Sequence, residues 1–215
     1  DDQNLEKLKS FIIKKIKKKY PSFKSELNDL HKTVNIKDIN ELRLFLFDQI
    51  NKDCNWEEIL LNLVGDELSY SMGRDILVQS KINVSIQMPN DKTSLLPMHT
   101  DCASADTPFQ SNIWIPLTDT YKTNSMFILS EGDTKKYIEN ILKDRKISKK
   151  IKIKDEDFLR LKFGEVLIFN PSILHGNVIN KTDHTRVSLN IRAKSIFAPE
   201  PNDRNSDRRF GTYYK

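Results

Sequence analysis

Cysteine is scarce in this chain. There are two, Cys54 and Cys102, in 215 residues, with no Cys-x-x-Cys spacing. That argues against a disulfide framework and removes any soft four-thiolate metal site. A reducing, cytoplasmic setting is therefore the expectation. Long apolar runs are also missing. None approaches the ~20 residues that a membrane-spanning helix needs. No apolar segment of the secretory kind follows the start, so no signal peptide is expected. The chain does not begin with Met, which leaves room for an upstream segment. Histidine is sparse as well, at four residues.

Acidic residues are outnumbered, and the formal net charge is +5. Lysine accounts for most of the excess, in Lys14-Lys15-Ile16-Lys17-Lys18-Lys19 and again between Lys143 and Lys154. Arginines and aromatics are not interleaved with these lysines as a base-stacking surface requires. The runs read as solvated helix faces, and no nucleic-acid partner is expected. With 38% hydrophobic and 30% charged residues, the composition is that of one soluble domain with a sizeable core.

The first third has helical periodicity. Leu5, Leu8, Phe11, Ile12 and Ile16 predict a helix over residues 4–20, stopped by Pro21. A second helical segment is expected over 22–32. Asp38 is expected to cap a helix bearing Leu42, Leu44, Phe45 and Phe47. Another helix begins at Cys54 or Asn55, carries Trp56, Ile59, Leu60, Leu63, Val64 and Leu68, and ends near Gly73. From Lys81 the period falls to two, the signature of strands. In residues 82–88, Asn83, Ser85 and Gln87 alternate with apolar residues. Residues 111–117 place Ile113, Ile115 and Leu117 on one face and Asn112, Trp114 and Pro116 on the other. Short strands are expected over 126–129 and 165–169, and a charged, exposed helix over 133–145. The last strand, 186–196, puts Arg186, Ser188, Asn190 and Arg192 on one face.

Helices followed by strands predict an α+β chain. It divides into a helical part (1–79), a β core (80–198) and a polar tail (199–215), all within one domain. The tail reads as a flexible end or as an arm packing on a neighbouring subunit of a homo-oligomer. Polar residues on three strand faces predict a barrel or sandwich with a wet, ligand-sized interior.

The chemistry concentrates in Leu95-Leu96-Pro97-Met98-His99-Thr100-Asp101-Cys102. His99 and Asp101 lie two residues apart on a loop after a strand. His175 follows the apolar strand Val166-Leu167-Ile168-Phe169, and Arg186 begins the next strand. A hairpin between those two strands is expected to bring Arg186 to the cavity that holds His175. Two imidazoles and a carboxylate on one face of a metal leave the opposite face open, which suits non-haem Fe(II). An arginine fork binds a carboxylate, with Ser188 adding a hydroxyl. His31 and His184 read as structural or exposed, and Cys102 as a packed thiol.

These residues resemble the Fe(II)/2-oxoglutarate-dependent oxygenases of the phytanoyl-CoA dioxygenase-like branch. The nearest likeness is to oxygenases of bacterial carbohydrate and surface-polysaccharide clusters, related to one in streptomycin biosynthesis. The resemblance covers roughly residues 80–196. It implies a double-stranded β-helix (jelly-roll) core with flanking helices. The family's His-x-Asp and distal His fall on His99, Asp101 and His175, and its co-substrate arginine on Arg186, with Ser188 completing Arg-x-Ser. Its tryptophan falls on Trp114, ten residues before Asn124-Ser125, where Ser replaces the usual Gly. The usual Pro-Gly-Ser-His is replaced by Ser130-Glu131-Gly132-Asp133. A carboxylate at position 101 separates the chain from the halogenases, in which a halide takes that place.

By this resemblance Fe(II), 2-oxoglutarate and O2 are the cofactors. From their strand faces, Gln87 and Asn112 are expected to face the cavity and bond 2-oxoglutarate or substrate, Trp114 to wall the co-substrate pocket, and Asn190 and Arg192 to meet an anionic or hydroxylated substrate. The implied reaction decarboxylates 2-oxoglutarate to succinate while oxidising a small polar, sugar-derived metabolite by hydroxylation, desaturation, epoxidation or ring formation. The alternatives are the same chemistry on an amino acid or acyl substrate, a non-catalytic jelly-roll binding module, and a basic nucleic-acid binder.

Overall fold

The computed structural model describes residues 2–104, 106–143, 151–199 and 211–215. Helix α1 (Asp2–Lys19) buries Leu5, Leu8, Ile12 and Ile16 completely, one stripe at helical spacing. It ends before Pro21, whose ring disfavours helix in the residue preceding it. The expected second helix shrinks to one 3-10 segment, Leu27–Lys32. Ser25 takes a left-handed φ of 74°, which interrupts a helix, while Phe23, Leu27 and Leu30 still reach the core. Asn35, not Asp38, supplies the capping side chain in the next turn: its Oδ1 accepts from the Lys37 N–H at 3.0 Å.

Helix α2 (Ile39–Asp53) buries Ile39, Leu42, Leu46 and Ile50, and Leu44 faces solvent instead of the core. Helix α3 (Trp56–Met72) buries Trp56, Leu60, Val64 and Leu68, and stops at Gly73, where φ of 89° suits only glycine. Helix α4 (Glu131–Lys143) covers most of the expected charged helix, and residues 144–145 fall outside those described. No helix among the described residues is long and apolar enough to cross a membrane.

The strands are β1 (Ile76–Val78), β2 (Asn83–Gln87), β3 (Gln110–Pro116), β4 (Phe127–Ile128), β5 (Leu167–Phe169), β6 (His175–Gly176) and β7 (Arg186–Ser195). Strand β1 lies inside the stretch read as helical. Strand β7 is central. Antiparallel β3 flanks one side, with β5 beyond it, and β2 and β1 share the other side in succession. Strands β4 and β6 form a second antiparallel pair, extended by single bridges from His99 to His175 and from Phe127 to Phe158.

The expected hairpin between the strand before His175 and the strand of Arg186 does not form. Strand β7 pairs with β1, β2 and β3, and β6 pairs with β4 in the other sheet. Residues 177–185 carry the chain from one sheet to the other, so Arg186 and His175 meet across the two sheets.

The main sheet is two-faced. Val187, Leu189, Ile191 and Ala193 of β7 are fully buried with Ile113 and Ile115 of β3 against the three N-terminal helices, in one continuous core. The opposite face carries Arg186, Ser188, Asn190 and Arg192. Asn83, Ser85 and Gln87 sit directly across from Asn190, Ser188 and Arg186, and Asn112 and Trp114 across from Arg192 and Asn190. The chain's last residues return to this sheet. Val78 and Lys215 exchange backbone hydrogen bonds at 2.9 Å. Tyr214 is 1% exposed, and its hydroxyl donates to Gln110 Oε1 at 2.6 Å.

Candidate metal centre

His99 and His175 are joined through the backbone, each donating its N–H to the other's carbonyl at 3.0 Å. Their ring centroids stand 4.4 Å apart. Asp101 begins a short 3-10 turn, Asp101–Ser104, just after His99 and joins it there. The Asp101 N–H donates to the Pro171 carbonyl at 2.9 Å, tying this loop to the turn before His175. One ligand atom from each of the three residues lies within 4.8 Å of the others.

The tautomers follow from the neighbours. Nδ1 of His99 lies 2.7 Å from the Pro97 carbonyl, and Nδ1 of His175 2.9 Å from that of Ile173. A carbonyl only accepts, so each ring keeps its proton on Nδ1 and turns the lone pair of Nε2 inward. Both Nε2 atoms face Asp101 Oδ1, at 3.2 and 3.8 Å. Converging acceptors repel unless a proton or a cation sits among them, and two imidazole nitrogens with one carboxylate oxygen fit a divalent first-row metal.

The other carboxylate oxygen is held apart. Asp101 Oδ2 accepts from Asn112 Nδ2 at 2.6 Å and from Arg192 Nη2 at 3.2 Å. Arg192 also pairs with buried Asp106 at 3.1 Å and donates to the Tyr213 hydroxyl at 3.1 Å. Burial alone would raise the pKa of Asp101. The His99 hydrogen bond and the charge of Arg192 outweigh it and hold the group below the usual carboxylate range. The bond to Asp101 raises His99, whereas burial lowers His175.

A cavity of about 340 Å³ opens beside this cluster, lined by Asp101, His175, Trp114, Arg186, Asn190 and Arg192 among others. Arg186 is 3% exposed. Its Nη2 donates to Ser85 Oγ at 3.2 Å, and the guanidinium lies 5.6 Å from the centre of the Trp114 ring. The Arg186 Nε, Ser188 Oγ and Asn190 Oδ1 are buried without a hydrogen-bond partner. Unpartnered buried polar atoms cost free energy; of these, Arg186 Nε and Ser188 Oγ can donate to an anion, whereas Asn190 Oδ1 can only accept.

Gln87 and Asn112 are fully buried beside this wall. Gln87 donates to the Val178 carbonyl at 2.5 Å, and Asn112 spends its amide on Asp101. The other histidines lie apart: His31 Nδ1 meets Thr185 Oγ1 at 2.9 Å, and His184 Nδ1 meets the Tyr121 hydroxyl at 2.8 Å. Cys102 Sγ lies 3.3 Å from Ser172 Oγ. Ser85, Asp106 and Gly176 escape the sequence reading. The alternation of β2 marks Ser85, but nothing local marks Asp106. A Cβ on Gly176 would meet the Leu96 carbonyl oxygen at 2.8 Å, so only glycine lets the segment before His99 pack against β6.

Fold and side-chain cluster together define a two-histidine, one-carboxylate site able to hold a metal ion, beside a polar cavity. The chain belongs to the phytanoyl-CoA dioxygenase (PhyH) family, whose model matches residues 3–188. That family comprises non-haem iron, 2-oxoglutarate-dependent oxygenases. A streptomycin biosynthesis protein, StrG of Streptomyces griseus, is 30% identical over 109 residues, which is 50% of this chain and 42% of that protein. The chain thus matches less than half the length of this curated relative. Among solved structures, the non-heme monooxygenase ThoJ in its apo form aligns with a TM-score of 0.53 at 16% identity, covering 91% of this chain and 70% of that one. Its nickel complex aligns with a TM-score of 0.50 at 15% identity, with the same coverage.

Proposed function

We propose that this protein is an Fe(II)- and 2-oxoglutarate-dependent oxygenase acting on a small polar metabolite, with its two antiparallel sheets forming a double-stranded β-helix. One observation carries the reading: a two-histidine, one-carboxylate face and a buried arginine with an unspent Nε meet on one cavity. His99, Asp101 and His175 hold the iron, and Arg186 with Ser188 holds the far carboxylate of 2-oxoglutarate. Iron and 2-oxoglutarate, held by these residues, would supply the oxidising power with O2, the co-substrate leaving as succinate and CO2.

The chain's own residues position these groups. The Pro97 and Ile173 carbonyls keep both Nε2 atoms free to ligate. Asn112 and Arg192 restrain Asp101 Oδ2 and leave Oδ1 for the metal, a task that accounts for Arg192 more fully than direct substrate contact. Ser85 steadies the Arg186 fork, and Gln87 supports the wall behind it. Trp114 lies beneath the guanidinium and excludes water from it. Asn190, halfway along the wall, offers an unspent carbonyl to a substrate hydroxyl.

A sugar-derived metabolite of carbohydrate or polysaccharide biosynthesis is the substrate class we favour. The likeness to carbohydrate-cluster oxygenases and to the streptomycin biosynthesis protein supports it. The test is succinate formation from 2-oxoglutarate in the presence of Fe(II), O2 and a panel of sugar derivatives. Turnover in the wild type that is absent in His99→Ala supports the proposal, and equal turnover in both contradicts the ligand assignment.

A further inference from the structure

The cavity holds three arginines, and the site described above answers only two of them. Arg192 is paired with Asp101 and Asp106. Arg186 faces the co-substrate's far carboxylate. The third is Arg43, which projects from α2 into the same cavity. Its Nη2 donates to Asn40 Oδ1 at 2.9 Å and its Nη1 to Ser94 Oγ at 3.4 Å. Both acceptors are neutral. Among the described residues Arg43 forms no ion pair.

Asp91, a carboxylate that feels the charge of Arg43, is engaged by its own loop. Asp91 Oδ1 accepts from the backbone N–H and hydroxyl of Thr93 at 2.7 Å, and Oδ2 accepts from the Ser94 hydroxyl. Ser94 thus links Arg43 to Asp91 by hydrogen bonds. Two corners of the guanidinium are pinned, and its remaining N–H groups are left for a ligand. Polar Asn83, Thr93 and Ser94 line the cavity beside it.

We propose that Arg43 anchors an anionic oxo group, a phosphate or a carboxylate, on the substrate of this enzyme. The proposal rests on the oxygenase reading, because that reading assigns Arg186 to the co-substrate and leaves Arg43 to the substrate. A preorganised guanidinium held by neutral acceptors pays little ordering cost on binding an anion. An arginine on the N-terminal helical layer also gives that layer a part in selectivity. The substrate then spans the cavity from the metal face to α2, with its anionic end away from the atom that reacts.

The test uses wild type, Arg43→Gln and Arg43→Lys, each loaded anaerobically with Fe(II) and 2-oxoglutarate. Methyl phosphate, acetate and uncharged trimethyl phosphate are titrated in turn. Binding is read from tryptophan fluorescence, since Trp114 stands on the cavity wall, and 2-oxoglutarate affinity from the visible charge-transfer band.

The expected result is saturable binding of methyl phosphate or acetate to the wild type and none of trimethyl phosphate. Affinity falls about tenfold in Arg43→Gln and recovers at least partly in Arg43→Lys, with 2-oxoglutarate affinity unchanged. The tighter of the two anions identifies the substrate group. Equal anion affinity in wild type and Arg43→Gln overturns the proposal, as does no anion binding to the wild type. Loss of 2-oxoglutarate affinity in Arg43→Gln overturns it too, and reassigns Arg43 to the co-substrate. A charge-transfer band missing from the wild type sinks the oxygenase reading, while the fluorescence titration still scores Arg43 separately.

Discussion

Arg186 is a buried cation without an ion-pair partner among the described residues, and burial pulls its pKa down to about 10. A base whose folded pKa lies below its unfolded value has its charged form disfavoured by folding. At neutral pH both states carry the proton, so the full penalty is present, and it is relieved only as the pH rises above 10. An anion bound at Arg186 removes the penalty. Arg186→Met is therefore expected to stabilise the ligand-free protein by ~1 kcal/mol, and 2-oxoglutarate to raise the Tm of the wild type but not of the variant. Thermal melts with and without 2-oxoglutarate check both. Metal binding needs neutral imidazoles. His99, raised above its ordinary value by Asp101, takes up a proton earlier than a free histidine as pH falls. Metal affinity should thus begin to fall above pH ~6.5, and calorimetric titrations across pH 5–8 would show the onset. At this scale the cluster of His99, Asp101 and His175 is legible in sequence, because histidine is rare here and the three stand beside strand patterns. Asp106 and Arg43 are not: Asp106 follows Asp101 closely but matters through Arg192, far along the chain, and Arg43 reaches the cavity from a distant helix.

The long alternating strands can be read from sequence. Strands β2, β3 and β7 fall within a residue or two of their expected limits, because one apolar face against the helices fixes their register. The short ones cannot. Strand β1 is three residues and β6 is two, too few for a period to show. The unrealised hairpin has the same cause: with no period to mark a strand at His175, the apolar run before it reads as the partner of β7. Gly176 is where that geometry is tightest. Gly176→Ala puts a methyl 2.8 Å from the Leu96 carbonyl and 2.9 Å from Phe127 Cζ. Overpacking of this kind costs about 1–3 kcal/mol, and here the strain falls on the segment leading to His99. We expect lowered stability in denaturant and weaker metal binding together. Weakened stability with metal affinity intact would uncouple Gly176 from the centre.

Across the molecule, the apolar faces of the helices pack on one face of the main sheet and the cavity opens on the other, which Arg43 of α2 also reaches. The lysines of α1 that carry much of the positive charge also brace this layer: Lys15 pairs with Asp53 and Lys19 with Glu41, both on α2. The end of the polar tail packs on the chain's own sheet. Tyr214 fills a buried site beside β1, and Tyr213 receives a hydrogen bond from Arg192, itself bonded to Asp101. Its tyrosines show little periodicity, so their destination is not legible in sequence. Tyr214→Ala should destabilise the fold by ~3 kcal/mol, measurable by urea unfolding.

The most direct test of the account is an anaerobic titration of the purified protein with Fe(II) and 2-oxoglutarate, followed in the visible region. The account predicts a metal-to-ligand charge-transfer band in the wild type, lost in His99→Ala, and shifted in Arg186→Ala to 2-oxoglutarate concentrations on the order of a hundredfold higher. No band at saturating iron, or an unchanged band in His99→Ala, would contradict it.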